Sequence, residues 1–294
     1  MRRIKLTLEY DGTDFKGFQV QSGGLPGESP LTAARTVQGT VERALSKVVG
    51  QPIRIAGASR TDTGVHALGQ VASFLLPDEI TIPANELCMA LNGNLEKDVS
   101  AISAEEVGMD FHAQRDSTGK IYSYSIICRR ERPALYRRTH WHVRFAMKLE
   151  TMRRAAETLV GIHDFTSFAT KLADIQARRV EEGKAELATV REIRRIEIHA
   201  EPLPGQDPGN SRYPGRVVLR VEGSGFLYQM MRTIAGTLVD VARGYRPPEW
   251  VAEVLAAKDR RRAGPTAPAR GLCLERVLYN DNIKQGDPGE RGVS

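Results

Sequence analysis

Cysteine is scarce in this chain. Cys88, Cys128 and Cys273 are the only three in 294 residues, and no two stand at the short spacing of a zinc knuckle. A disulfide framework is thereby excluded, and the three thiols read as reduced, small hydrophobes. No uninterrupted apolar stretch approaches the roughly 20 residues that a bilayer-spanning helix needs. The start, Met1-Arg2-Arg3-Ile4-Lys5-Leu6-Thr7-Leu8-Glu9, is basic, but Lys5, Thr7 and Glu9 interrupt any apolar export core. The expectation is a cytoplasmic protein with no membrane partner. His66, His112 and His163 lie far apart with no HxxxH or HExxH spacing, so no metal is expected either. Lysine is scarce as well, with 10 Lys against 32 Arg.

What is present is an ordinary globular composition, 41% hydrophobic and 27% charged, long enough to bury a core in one large domain or two modest ones. The charge is placed unevenly. Residues 1–110 carry 10 basic and 14 acidic groups, whereas residues 111–294 carry 32 and 22. An arginine excess alone also follows from GC-rich codon usage. Its concentration in one half points instead to a polyanionic partner, which the planar guanidinium suits.

Ile4, Leu6, Leu8 and Tyr10 alternate with polar residues, the period of a half-buried strand that Asp11-Gly12 ends. A Gly-, Ser- and Pro-rich loop covers residues 21–35. Val37, Val41, Ala44, Leu45, Val48 and Val49 follow helical spacing between Thr36 as N-cap and Gly50 as stop. Ile53–Ala56 and Val71–Leu76 read as strands on either side of a polar segment, Pro83 opens a helix to Leu91, and Val99–Ser103 is a strand. The second half repeats the order. Residues 118–128 are a strand, Met152–Val160 a helix, Ile193–Ile198 a strand, Pro202–Gly215 a long turn, and Val217–Val221 a strand. Phe226–Arg243 and Trp250–Lys258 are helices, and Leu272–Tyr279 is the last strand. The sequence therefore predicts an α+β fold: two ferredoxin-like (RRM-like) βαββαβ halves sharing a mostly antiparallel sheet, residues 1–107 and 108–280, with a disordered tail over 281–294. Helices on one face leave the other free for a ligand, as in RNA-binding domains of this topology.

The densest polar cluster is Ala58-Ser59-Arg60-Thr61-Asp62-Thr63-Gly64-Val65-His66-Ala67, between two apolar strands. Asp62 and Thr63 could bond local backbone in a plain turn. Equally, an exposed carboxylate in such a loop can act as nucleophile or general base, with Arg60 steering a phosphate past it. Gly223-Ser224-Gly225 ahead of a helix reads as a close-approach turn that admits RNA backbone. Arg129-Arg130 and Arg260-Arg261-Arg262 read either as solvated faces or as RNA contacts. Phe226, Met230, Ile234 and Leu238 read as a core stripe.

The polar cluster resembles the signature of the tRNA pseudouridine synthase A (TruA) family, approximately Gly-Arg-Thr-Asp-x-Gly-Val-His-Ala. Other blocks resemble the same family in the same order. They are Tyr10-Asp11-Gly12-Thr13-Asp14-Phe15-Lys16-Gly17-Phe18-Gln19, Phe111-His112-Ala113, Lys120-Ile121-Tyr122-Ser123-Tyr124, Asp164-Phe165-Thr166-Ser167-Phe168, Gly225-Phe226-Leu227-Tyr228-Gln229-Met230-Met231-Arg232, and Ala267-Pro268 with Gly271-Leu272-Cys273-Leu274. Ser59 stands for the usual Gly, Phe18 for Trp and Gln114 for a common Arg, while residues 171–190 have no counterpart. The resemblance implies the pseudouridine synthase fold and an isomerase that detaches the uracil of a tRNA uridine, turns it over and rejoins it through C5. Positions 38, 39 and 40 of the anticodon stem-loop are its implied targets, with no cofactor and no metal. By the same resemblance Asp62 is the nucleophile, Arg232 pairs with it, Tyr122 packs against the uracil, Arg60 contacts RNA and helps flip the base, and the chain works as a homodimer. The competing reading is a non-catalytic RNA-binding protein with two RRM-like units, whose aromatic signature neither half contains.

Overall fold

A computed structural model describes residues 1–20, 34–206 and 212–280. In chain order these form β1 (Arg2–Tyr10), α1 (Val37–Val49), β2 (Ala56–Gly57), β3 (His66–Leu76), α2 (Ala84–Asn92), β4 (Val99–Val107), β5 (Ser117–Cys128), β6 (Trp141–Val143), α3 (Leu149–Glu157), β7 (Gly161–Asp164), α4 (Leu172–Glu181), β8 (Val190–Glu201), β9 (Gly215–Gly223), α5 (Met230–Ala242), α6 (Trp250–Ala257) and β10 (Leu272–Tyr279). The fold is mixed α+β and its strand pairing is mostly antiparallel, β6 alongside β5 being parallel. No helix among the described residues is long and apolar enough to cross a membrane. The expected tail over 281–294, most of the 21–35 loop and the middle of the 202–215 turn lie outside the described residues.

The chain divides into two compact units, Met1–Thr118 with the part of β10 from Leu274 onward, and Gly119–Cys273. The closing strand therefore rejoins the first unit in space although it ends the second half in sequence.

The first unit has the βαββαβ order of the ferredoxin-like unit. β1 runs at its centre between β3 and β4, with Leu6 opposite both Ala72 and Ala104. The alternation of β1 is realised in burial: Ile4, Leu6, Leu8 and Tyr10 face the core. α1 begins where the Thr36 hydroxyl accepts the Gly39 N–H at 3.2 Å and ends at Gly50 in the left-handed region, φ 78°. Val37, Val41, Ala44, Leu45 and Val49 form its buried stripe. The strand expected over Ile53–Ala56 shrinks to Ala56–Gly57 for a local reason. Glu42 of α1 accepts the Ile55 N–H at 3.1 Å and Gln38 donates to the Ile55 carbonyl at 3.3 Å, so helix side chains take the bonds that a strand neighbour would make. Ile53 and Ile55 are nonetheless buried.

In the second unit β5, β9, β8 and β7 lie in that order, all antiparallel. Tyr122 of β5 stands opposite Val221 of β9, and Tyr124 opposite Leu219. β6, β7 and α4 are additional to the expected elements. α4 falls within the 171–190 stretch and buries none of its residues. The helix expected from Phe226 starts instead at Met230, because Gln229 adopts a left-handed conformation, φ 59°, and the Tyr228 carbonyl is taken by the Thr170 N–H at 3.2 Å. From Met230 on, α5 is buried on almost every side, Met230, Ile234 and Leu238 completely.

Candidate active site

Asp62 sits in the connection between β2 and β3, and that connection is fastened on both flanks within the first unit. On one flank the segment after β1 lies against it. The Phe18 N–H donates to the Thr61 carbonyl at 3.1 Å and the Gly64 N–H to the Phe15 carbonyl at 3.3 Å. Gly12 and Gly17 make this approach possible. A Cβ on Gly12 would stand 1.9 Å from the Val65 carbonyl oxygen, and one on Gly17, itself at φ 95°, would stand 2.9 Å from that of Thr61. The other flank is tied by side chains. The Tyr10 and Thr61 hydroxyls are 2.7 Å apart, and Gln70 binds both the N–H and the carbonyl of Ser59, at 3.2 and 2.7 Å. Inside the loop the Val65 N–H closes a turn on the Asp62 carbonyl at 3.1 Å. Asp62 is half-buried, Arg60 and Thr63 are exposed, and Thr61 and His66 are buried.

The loop therefore has two kinds of residue. Thr61, Val65 and His66 hold it, whereas Arg60 and Asp62 are presented by it. The bond from the Val65 N–H to the Asp62 carbonyl is a turn of the kind the plain reading expects, and the frame around it is supplied mostly by other residues. Ser59 has no positive φ, so the replacement of the usual Gly there costs no backbone strain. Phe18 is buried, and its backbone does the fastening.

His66 belongs to the frame. Its Nδ1 accepts the Gly12 N–H at 3.1 Å and lies 3.2 Å from an Asp11 carboxylate oxygen, which also receives the Thr13 N–H at 3.0 Å. His112 is likewise structural: its Nδ1 accepts the N–H groups of Gln114 and Arg115, both at 3.2 Å, and its own N–H donates to Asp116 at 2.8 Å. No group of three or more His, Cys, Asp or Glu able to hold a metal occurs among the described residues.

The other expected site residues, Tyr122 and Arg232, belong to the second unit. Tyr122 and Tyr124, two apart on β5, share one face of the sheet. They are used differently. Tyr124 is fully buried, stacks edge-on against Trp141 with centroids 6.2 Å apart, and donates its hydroxyl to the Pro268 carbonyl at 2.7 Å. Burial raises its phenol well above the ordinary range. Gly271 leaves room for that ring, since a Cβ there would meet the Tyr124 Cζ at 2.6 Å. Tyr122 is 7% exposed and meets the edge of Phe226 at 5.2 Å, with the rings at 83°. Arg232, in the first turn of α5, is half-buried, and its Nε donates to the Ala267 carbonyl at 2.8 Å.

Two residues around Tyr122 are missed by sequence reasoning. Phe226 reads there as the start of a helical core stripe; it precedes α5, is only half-buried and forms a wall against Tyr122. Lys120 shares the face of Tyr122, and its ammonium is pulled below the usual lysine range by burial and by the Arg191 guanidinium. Its place two residues before Tyr122 on a strand is the available signal. The close approach at Gly223 is explained by the protein itself: a Cβ there would meet the Glu192 carbonyl at 2.8 Å and the Phe226 ring at 3.1 Å. The arginine run is a single 3-10 turn, Arg260–Arg262, in which the three side chains have unlike surroundings.

A family model described as tRNA pseudouridine synthase matches residues 7–116 and 155–280, which spans the Asp62 loop, Arg232 and β10. The chain is 43% identical over 289 residues to tRNA pseudouridine synthase A of Myxococcus xanthus, covering 98% of this chain and 96% of that one. It is 40% identical to tRNA pseudouridine synthase A 2 of Clostridium perfringens (95% of this chain, 100% of that one) and 40% identical to tRNA pseudouridine synthase A of Solidesulfovibrio magneticus (100% and 94%). A family model covering most of the chain and relatives this similar over nearly their whole length place this chain in the tRNA pseudouridine synthase family.

Proposed function

We propose that the protein isomerises uridine to pseudouridine in tRNA, at positions 38, 39 and 40 of the anticodon stem-loop. The reaction breaks the C1′–N1 bond and forms a C1′–C5 bond; C5 gives up its proton and N1 gains one. Nothing is oxidised or reduced and no group leaves, so the chemistry asks for a nucleophile, a place for the free base and protection from water. Asp62 is assigned the nucleophile, and the fastened loop that presents a half-buried carboxylate is the observation that carries the reading. Arg232 is assigned as the cation that keeps this carboxylate ionised and oriented. Tyr122, backed by Phe226, offers the uracil a ring to pack on, and exposed Arg60 contacts RNA backbone and helps draw the base from its stack.

A homodimer is part of the proposal, as is action in the cytoplasm without metal. The test is to treat unmodified tRNA with the pure protein, chelator present, and map pseudouridine along the molecule. Pseudouridine confined to positions 38–40 supports the reading. Binding without turnover returns the chain to a non-catalytic RNA binder, and turnover elsewhere in the tRNA overturns the assigned substrate. Light scattering of the free protein checks the dimer.

A further inference from the structure

The three consecutive arginines of the 260–262 turn are chemically distinct. Arg261 is 90% exposed and clamped to both oxygens of Asp259, at 2.7 to 3.1 Å. Asp259 thus spends its carboxylate on Arg261, while its own N–H is held by the Ser167 hydroxyl at 2.9 Å. The next residue back, Lys258, is anchored 3.0 Å from Asp164. Arg262 is exposed. Arg260 alone turns inward. It is half-buried, its Nη2 donates to the Thr266 hydroxyl at 2.8 Å, and its Nε is buried with no hydrogen-bond partner. No carboxylate lies within ion-pair reach of Arg260 among the described residues, and burial lowers its guanidinium from the ordinary value with no acid to oppose it.

A half-buried cation with an orphaned donor and no counterion is costly unless something supplies the anion. The neighbour of Thr266 indicates which anion. Ala267 is bonded twice to Arg232: its N–H donates to the Arg232 carbonyl at 3.1 Å and its carbonyl accepts the Arg232 Nε at 2.8 Å. Arg260 and Arg232 therefore fasten on adjacent residues, Thr266 and Ala267, of one short segment. Two turns of sequence converge to hold Arg260 in this place, the 164–167 segment through Lys258 and Asp259, and the segment after Gly264 through Thr266.

We propose that Arg260 is a phosphate-binding residue that receives one backbone phosphodiester of the substrate RNA beside Arg232, and that Arg261 takes no part. The planar fork suits this role, because it can give two donors to a phosphate while Thr266 retains a third. The assignment rests on the proposed tRNA reaction, whose nucleotide it would hold by the backbone next to the residue paired with the nucleophile.

Affinity for unmodified tRNA, measured by filter binding across a salt series, tests it with wild type, Arg260→Gln, Arg260→Lys and Arg261→Gln. Arg260→Gln is expected to weaken binding by about 10- to 100-fold at low salt, the worth of a hydrogen-bonded charge contact. The slope of log affinity against log salt should also flatten by about 0.7–0.9, one phosphate fewer. Arg260→Lys should keep the slope and lose part of the affinity. Arg261→Gln should stay within about threefold of wild type on both measures, since its charge is already matched by Asp259. Weaker binding with an unchanged slope in Arg260→Gln would mean a purely structural arginine and overturns the proposal, as does equal damage from Arg261→Gln. Should Arg260→Gln fail to fold, Arg260→Lys decides, and wild-type affinity in that variant overturns it. A wild-type protein that binds tRNA without forming pseudouridine would sink the proposed reaction while leaving the salt series to judge Arg260.

Discussion

The loop that presents Asp62 is held at a distance set by a single missing methyl group, which makes Gly12→Ala an informative change. The added Cβ would lie 1.9 Å from the Val65 carbonyl oxygen and 2.5 Å from its carbon. An unstrained carbon–oxygen contact needs about 3.3 Å, so roughly 1.4 Å must be found. Both partners are backbone, and no rotamer change can supply it. The Val65 N–H is bonded to the Asp62 carbonyl, so movement of Val65 is passed to the proposed nucleophile. Displacement of a reacting group by about 1 Å costs on the order of 100-fold in rate, and overpacking of this kind costs about 1–3 kcal/mol of stability. The control is Gly50→Ala. Gly50, unlike Gly12, has a positive φ, 78°, and faces open space at the end of α1, so Gly50→Ala should lose about 1–2 kcal/mol and no rate. Urea unfolding gives the stabilities, and single-turnover release of tritium from C5-labelled uridine in tRNA gives the rates. A Gly12→Ala protein that turns over at the wild-type rate would refute the reasoning that this contact fixes the loop.

Tyr122→Ala should weaken engagement of the target uridine by about 1–3 kcal/mol, the value of a base–aromatic stack, while Tyr122→Phe retains it; the readout is the concentration dependence of tritium release. Tyr124→Phe should spare that engagement and destabilise the fold by about 0.5–1.5 kcal/mol, because the half-buried Pro268 carbonyl loses the Tyr124 hydroxyl and keeps only the Gly271 N–H, at 3.4 Å. Reversed outcomes at the two tyrosines would exchange their roles. Burial pushes the Asp164 carboxyl up, but bonds from Thr166, Thr189 and Lys258 outweigh it and hold it well below its ordinary value of 3.8. A lowered folded value means that the stabilisation is present above about pH 4 and lost as pH falls through the folded value. Asp164→Asn should therefore be less stable than wild type at pH 7, with the gap in urea midpoint closing below about pH 4; a gap constant with pH contradicts the linkage.

Much of the first unit is legible because its signals are local. Thr36 and Gly50 bound α1 through hydrogen bonds to residues three and four positions away, and the two-residue period of β1 needs only one buried face. The polar run at 58–66 stands out against the apolar strands on either side of it, although a plain turn accounts for its residue types as well. Illegible features depend on residues distant in sequence. Ile53–Ala56 has strand composition, yet Glu42 and Gln38 capture the backbone of Ile55. Phe226 fits the helical stripe by spacing, and only the left-handed turn at Gln229 separates it from α5 and sets it against Tyr122. β6 and β7, three and four residues long, carry too little periodicity to register. Asp62 in its polar loop is legible as a candidate for chemistry from residue type and setting, whereas the role expected of Arg232 comes only from the resemblance. The difference between Arg260 and Arg261 is not legible, because it is made by Asp259, Thr266 and burial rather than by the residues themselves.

The central claim is that the Asp62 carboxylate performs covalent chemistry, and Asp62→Asn tests it most directly. The amide keeps the size and hydrogen-bonding reach of the side chain and removes the nucleophile. Single-turnover tritium release should fall by at least about 1000-fold, roughly 4 kcal/mol of barrier. Filter binding of tRNA run beside it should change little, since arginine contacts to phosphates dominate affinity. An Asp62→Asn protein that folds normally and turns over within tenfold of wild type would show that the reaction proceeds without this carboxylate, and the account of the loop would be wrong.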